Sequence, residues 1–208
     1  NTQNTNTTIV NADFLKYDLN KKFNLIIGNP PYFVMKNILV EKKYKDYYTG
    51  RPNIFIIFIL KCLSLLKPNG VLAFVLPKSF LNCVYYDKTR AYIHHNFEIL
   101  DIFESNDKYI ETAQPTVVFM LKNSGIVAGN ERFVLEKNGF TVFGSEGHIE
   151  ELTELYKDSK TLNQLGFKVS VGKVVWNQCK SILTDDKTKT RLIYSSDIVN
   201  KELSMKEY

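Results

Sequence analysis

Several residue types and patterns are scarce in this chain, and each shortage excludes something. Only three of its 208 residues are cysteines, Cys62, Cys83 and Cys179, far apart and with no C-x-x-C pair. That argues against a disulfide framework and against the usual zinc or redox spacings, and it fits a reduced, cytoplasmic setting. Glycine is sparse, ten in all, and never occurs as G-x-G, so the turn that brings a backbone close to a phosphate or cofactor is missing from this sequence. The longest apolar run, Ile54–Leu60, is far too short to cross a bilayer. The chain does not open with a charged start, an apolar stretch and a cleavage site, and no membrane partner is expected. Neither sign of charge dominates. The 27 Lys and Arg against 22 Asp and Glu leave +5, which permits a nucleic-acid partner without requiring one.

What is present is a layered pattern. Ile9-Val10 reads as a short strand whose exit is Asn11–Leu15, and Phe23–Gly28 reads as a buried strand. Phe33–Arg51 is charged, tyrosine-rich and without clear period, so it reads as a long loop with a short helix, and loops this long are usually functional. Asn53 can cap a helix over Ile54–Leu66, apolar on most faces and therefore buried between layers. Val71–Leu76 is the unbroken apolar run expected of a central parallel strand. A helix over 86–96 and strands over 98–103 and 116–122 complete an α/β class. Later, Arg132–Glu136 is β-like, Glu150–Lys157 helical, and Gly166–Lys180 reads as strand, turn, strand around Gly172.

Directly after the strand at Phe23–Gly28 stands Asn29-Pro30-Pro31-Tyr32. An exocyclic amine on an aromatic ring is a poor nucleophile, because its lone pair is delocalised. Two acceptors aimed at its two hydrogens pull the nitrogen toward tetrahedral geometry and turn the lone pair outward. The Asn29 side-chain oxygen and the Pro30 carbonyl can be those acceptors. Proline at two successive positions fixes φ, so the acceptors are set before substrate arrives. Tyr32 adds a flat face for a base, a stacking contact of about 1–3 kcal/mol. A plain tight turn or a polyproline ligand is the competing reading, and the position after a buried strand speaks against it.

Those four residues resemble the catalytic motif of amino-methyltransferases that use S-adenosylmethionine, above all the N6-adenine DNA methyltransferases. From Ile9 to Gly125 the chain is similar to the C-terminal half of a γ-type adenine methyltransferase domain, as in type II and IIG restriction-modification enzymes. Asn11-Ala12-Asp13-Phe14-Leu15 resembles the family's third motif. The resemblance implies that Asp13 and Phe14 hold the adenine of S-adenosylmethionine, with Asn29 and Pro31 also at the cofactor, and that Asn29, Pro30 and Tyr32 are catalytic. A helix cap or turn residue for Asp13, and core packing for Phe14, remain open. Asn at the first motif position favours adenine over cytosine. The strand around Pro115–Leu121 stands where some relatives carry an aromatic that braces the target base, with Phe119 or Leu121 as candidates beside the reading of a plain strand. Residues 166–173 and 191–198 resemble the opening of a target recognition domain, where Lys168, Lys173 and Lys180 would meet phosphates and Trp176 would pack.

The resemblance implies a Rossmann-like methyltransferase sheet lacking its first cofactor-binding strands, then a partial mixed α/β recognition region. The expected division is 1–125 catalytic, 126–165 linking and 166–208 recognition. The family's Gly-rich turn and ribose-binding acid are absent. The chain is therefore expected to be a fragment of a longer enzyme, binding S-adenosylmethionine poorly by itself. The implied partner is double-stranded DNA, whose target adenine must be flipped out, with a nuclease or specificity domain elsewhere in the parent. A protein-glutamine or rRNA amino-methyltransferase, or a non-catalytic DNA-specificity fragment, is the alternative.

Overall fold

Apolar runs of the right length set the sheet that carries the motif. A computed structural model describes residues 7–104, 115–170, 174 and 179–204. Contacts divide the chain into two units, Asn1–Ser159 and Lys160–Tyr208. In the first unit, β1 (Phe23–Gly28) runs through a long loop into α1 (Ile54–Leu65), which leads directly into β2 (Leu66–Pro77). Next come α2 (Asp87–Asn96), β3 (Glu98–Glu104) and β4 (Thr116–Lys122). The sheet order is β1-β2-β4-β3, with β1 and β2 parallel and β4 antiparallel to both β2 and β3. This is the mixed α/β sheet of a partial Rossmann-like fold.

The expected helix over 54–66 forms as anticipated, and the Asn53 side chain accepts from the Phe55 amide at 3.5 Å. Eight of its twelve residues are buried, as a helix apolar on most faces requires. Lys67–Gly70 bulges out of the β1–β2 pairing, which jumps from Phe23↔Leu66 to Leu25↔Val71. Gly70 has no room for a side chain. A Cβ there would lie 2.8 Å from the Phe23 carbonyl oxygen and 3.0 Å from that of Lys67.

Phe55, Phe80, Phe119 and Phe143 are all fully buried and meet edge-to-face or stacked, at centroid distances of 5.5–6.0 Å. They join α1, the turn after β2, β4 and a later hairpin. That hairpin, β5 (Val134–Lys137) and β6 (Phe140–Phe143), turns at Asn138 and Gly139, both at positive φ. It is followed by α3 (Glu146–Tyr156). Phe133, Val134, Phe143 and Ile149 are buried, so the stretch expected to link two domains contributes to this core.

Polar staples fix the same region. Asn130, 2% exposed, donates to the carbonyls of His94 and Phe97 and accepts from the Ile99 amide. It thereby closes α2 and opens β3. Arg90 is fully buried; its guanidinium donates to the carbonyls of Thr141, Phe80 and Cys83 and to the Asp87 carboxylate. Asp87 in turn accepts from the Thr141 amide.

Two expectations need correction. Ile9-Val10 is not a strand, and Ile9 is 91% exposed. Among the described residues no strand pairs with it, and an unpaired extended segment gains no ladder bonds. Gly166–Ser170 is irregular rather than a strand. Gly172, Lys173 and Trp176 lie outside the described residues. In the second unit a short hairpin pairs β7 (Ile198–Val199) with β8 (Glu202–Leu203), and buried Asp197 accepts from the Tyr194 amide through its carboxylate. Among the described residues no helix is long and apolar enough to cross a membrane.

Candidate active site

Because β1 and β2 are parallel, their carboxyl ends share one rim. Ligands in open α/β sheets bind outside that rim. Gly28 pairs with Phe74 in register and packs against its ring, where a Cβ would stand 3.3 Å away. The chain then leaves the sheet through Asn29-Pro30-Pro31-Tyr32. Pro30 is buried, Asn29 and Pro31 are exposed, and Tyr32 is half-buried.

The Tyr32 hydroxyl is the clamp of this turn. Its oxygen lies 2.8 Å from Asn29 Oδ1 and 2.8 Å from the Val75 carbonyl oxygen on β2. A phenol has one proton and cannot donate fully to both acceptors. The Val75 carbonyl can only accept, whereas the Asn29 amide presents either an acceptor or a donor. Turning that amide by 180° leaves the hydroxyl donating to Val75. It also lets Asn29 Nδ2 donate to the phenol oxygen and points Oδ1 outward. In that orientation Asn29 is tied to β2 through Tyr32. The Tyr32 ring meets Phe55 of α1 edge-on at 6.1 Å.

The third-motif segment docks on the same helix. Asp13 is exposed; its Oδ1 accepts from the Leu15 amide at 3.1 Å, and its carbonyl accepts from the Lys16 and Tyr17 amides. Asp13 therefore closes a turn; its Oδ2 lies 3.7 Å from the Lys16 ammonium in an exposed pair that leaves lone pairs for a further donor. Phe14 packs on Phe58, 4.8 Å between centroids. Lys61 holds the turn: its ammonium donates to the carbonyls of Phe14, Leu15 and Tyr17 at 2.6, 3.1 and 2.7 Å and sits 4.9 Å from the Phe14 ring centre. Helix α1 thus carries both segments, Tyr32 at Phe55 and Phe14 at Phe58 and Lys61. Those anchors are three and six residues apart, about 4.5 and 9 Å along the axis. Sequence reasoning missed Lys61, although it is the lone charge in a largely apolar helix.

Other groups reach the rim or fail to. Lys78 and Glu104, which follow β2 and end β3, pair at 2.6 Å. Burial raises the Tyr86 phenol above its ordinary value, so it stays neutral. Phe119 and Leu121 are fully buried in the core, and neither has a face to offer a base. Lys168 and Lys180 are exposed in the second unit.

With this geometry stands a match in sequence. Residues 1–110 match the model of the Eco57I restriction-modification methylase family. The chain belongs to that family. It is 35% identical over 124 residues to modification methylase CviBIII of Paramecium bursaria Chlorella virus NC1A, spanning 57% of this chain and 31% of that protein. It is 30% identical over 169 residues to type II methyltransferase M.CvrRI of Paramecium bursaria Chlorella virus XZ-6E, spanning 79% of this chain and 43% of the relative. The chain thus spans about a third to two-fifths of these relatives. A solved class I S-adenosylmethionine-dependent methyltransferase from Listeria monocytogenes is similar at a TM-score of 0.49 and 18% identity, over 55% of this chain and 36% of that one. The family match takes in both motifs, α1 and β2 and stops before β4.

Proposed function

We propose that the chain is the base-binding part of a DNA methyltransferase of a restriction-modification system, one that methylates the N6 amine of adenine. One observation carries this reading: an exposed Asn29 amide is clamped through the Tyr32 hydroxyl to β2 at the carboxyl rim of a parallel strand pair. Its oxygen and the Pro30 carbonyl accept the two amine hydrogens of an extruded adenine. The base stacks against Tyr32, and the site needs no general base to raise the nitrogen's nucleophilicity.

S-adenosylmethionine would supply a methyl on a sulfonium, open to in-line displacement by that nitrogen. The residues present fit its adenosine end. The exposed Asp13 carboxylate can accept from an exocyclic amine, and Phe14, braced by Phe58 and Lys61, offers an aromatic edge. Pro31, exposed beside Asn29, would border the cofactor. In this reading the unit to Ser159 is the carboxyl part of the catalytic domain. The residues from Lys160 open the target recognition region, and duplex DNA is the partner.

The test is methyl transfer by the full-length protein from labelled S-adenosylmethionine to unmethylated duplex DNA, with nucleoside analysis of the product. N6-methyladenine is expected, and Asn29→Ala should abolish it while DNA is still bound. Label recovered as N4-methylcytosine, or only in a glutamine-containing protein or in rRNA, would overturn the assignment.

A further inference from the structure

Extruding a base leaves a gap in the stack, and the lost stacking must be offset. Proteins that open base steps commonly fill them with apolar wedges. A wedge must be exposed, apolar, rigidly mounted beside the base pocket and framed by cations that hold the phosphates. The loop between Tyr32 and α1, which leaves the proposed base site directly, carries such groups.

At its tip, Asn37–Leu39 forms a single tight turn whose Ile38 is 86% exposed and whose Leu39 is 68% exposed. Exposed apolar groups rimmed by polar and charged residues mark interaction sites. The mount is firm. The Leu39 amide donates to the Lys36 carbonyl, and the Val40 amide to that of Asn37. The Asn37 side chain donates to the Gly50 carbonyl and accepts from the Tyr48 hydroxyl. Val40, Tyr44 and Tyr48 are buried in the core. The base of the loop is stitched to the site, because the Met35 amide donates to the Pro52 carbonyl and the Ile54 amide to the Phe33 carbonyl. Charge frames the tip: Lys36, Lys42, Lys45 and Arg51 are exposed, Lys43 pairs with Glu41 at 2.9 Å, and Asp46 is the other acid.

We propose that Ile38 and Leu39 form a wedge that enters duplex DNA at the gap left by the target base, with the neighbouring lysines on the flanking phosphates. The proposal rests on the DNA reading above and adds to it the group that holds the duplex open. The alternative occupant of the tip is another part of the full-length protein.

The experiment uses full-length protein and duplexes carrying 2-aminopurine at the target position, whose fluorescence rises on unstacking. Ile38→Ala/Leu39→Ala should lower the fluorescence rise and the single-turnover methylation rate about tenfold on a matched duplex. Placing the target adenine in a mismatch, where it is already loosened, should restore most of the rate, since less unstacking is left to do. A variant that extrudes the base as well as wild type overturns the wedge. Equal loss on matched and mismatched duplexes together with a lowered Tm also overturns it and assigns the tip to intramolecular packing. If wild-type protein methylates no DNA at all, the functional reading fails before the wedge is tested, so the two failures are distinguishable.

Discussion

Replacing Tyr32 with phenylalanine removes one oxygen and leaves the ring, and the structure says what should follow. The ring keeps its edge-on contact with Phe55, and a base can still stack on it. The tie from Asn29 to the Val75 carbonyl is lost. A hydrogen bond of this kind is worth about 0.5–1.5 kcal/mol net, and the side chain is half-buried, so the folding loss should lie at the low end. For a unit of this size each kcal/mol lowers Tm by about 2–4 °C. The effect on rate comes from orientation. Without the phenol, the Asn29 amide can present either Oδ1 or Nδ2 to the substrate amine, and only Oδ1 accepts its hydrogens. If the two orientations become equally populated, the rate halves. If the wrong one is favoured by one hydrogen bond, the rate falls about tenfold.

Asn29→Ala removes the acceptor outright. By comparison with the loss of one preorganised group at a developing charge, it should cost about 10²–10³-fold or more. The assay is single-turnover methyl transfer with full-length protein in excess over duplex, alongside calorimetry of S-adenosylmethionine binding. Tyr32→Phe should fall two- to tenfold in rate with cofactor affinity unchanged, well above Asn29→Ala. A wild-type rate in Tyr32→Phe with a lowered Tm would mean that the hydroxyl only braces the turn. A rate as low as that of Asn29→Ala would mean that the phenol acts on the base itself.

Arg90→Met should cost about 3–5 kcal/mol, because it leaves Asp87 and three carbonyls without their buried donor; a urea melt showing under about 1 kcal/mol would contradict the hub. Gly70→Ala drives a Cβ against two backbone oxygens. A loss of about 1–3 kcal/mol is expected, with faster amide exchange in β1, and unchanged exchange there would show that the bulge can yield. Burial holds the His94 imidazole below its ordinary value of 6.5, with Glu136 opposing the shift and His95 adding to it. Its unfolded form takes up a proton first as pH falls, so stability should drop through about pH 6.5 and level off below the folded pKa. His94→Gln should flatten that part of a Tm–pH curve, and an unaltered curve would remove His94 as the cause.

Elements built on local pattern were legible in the sequence, and those built on distant partners were not. The all-round apolar run of α1 and the continuous run of β2 announced buried elements because burial of every face leaves no polar positions to read otherwise. The motif was legible because two prolines after an apolar strand leave the backbone few conformations. The order β1-β2-β4-β3 was not legible, since insertion of an antiparallel strand between β2 and β3 is decided by long-range pairing. Phe119 resembled a base-bracing aromatic by position alone, and only the neighbouring Phe80 and Phe143 show that its ring is already packed on both sides. The stretch after Asn123 read as a connection because its apolar residues are irregularly spaced among glycines. Phe133, Val134, Phe143 and Ile149 nevertheless reach the core by way of a two-residue turn and a buried asparagine.

Lys61 shows how one charge can connect the two halves of the site. A lysine in the middle of a buried helix costs desolvation unless its ammonium is fully engaged. Here three carbonyls of a single turn engage it, and those carbonyls belong to the segment that carries Asp13 and Phe14. The turn therefore cannot drift along α1 without giving up those three bonds. Tyr32 is fixed to the same helix at Phe55 and to β2 at Val75. Two loops on either side of β1 are thus registered against one rigid rod. On the proposed function, in-line methyl transfer demands such registration between the group proposed to hold a base and the group that would hold an adenosine, because small misplacements of reacting atoms cost large factors in rate. The helix most strongly marked in the sequence as hydrophobic core is thus also the part that spaces the two motif segments.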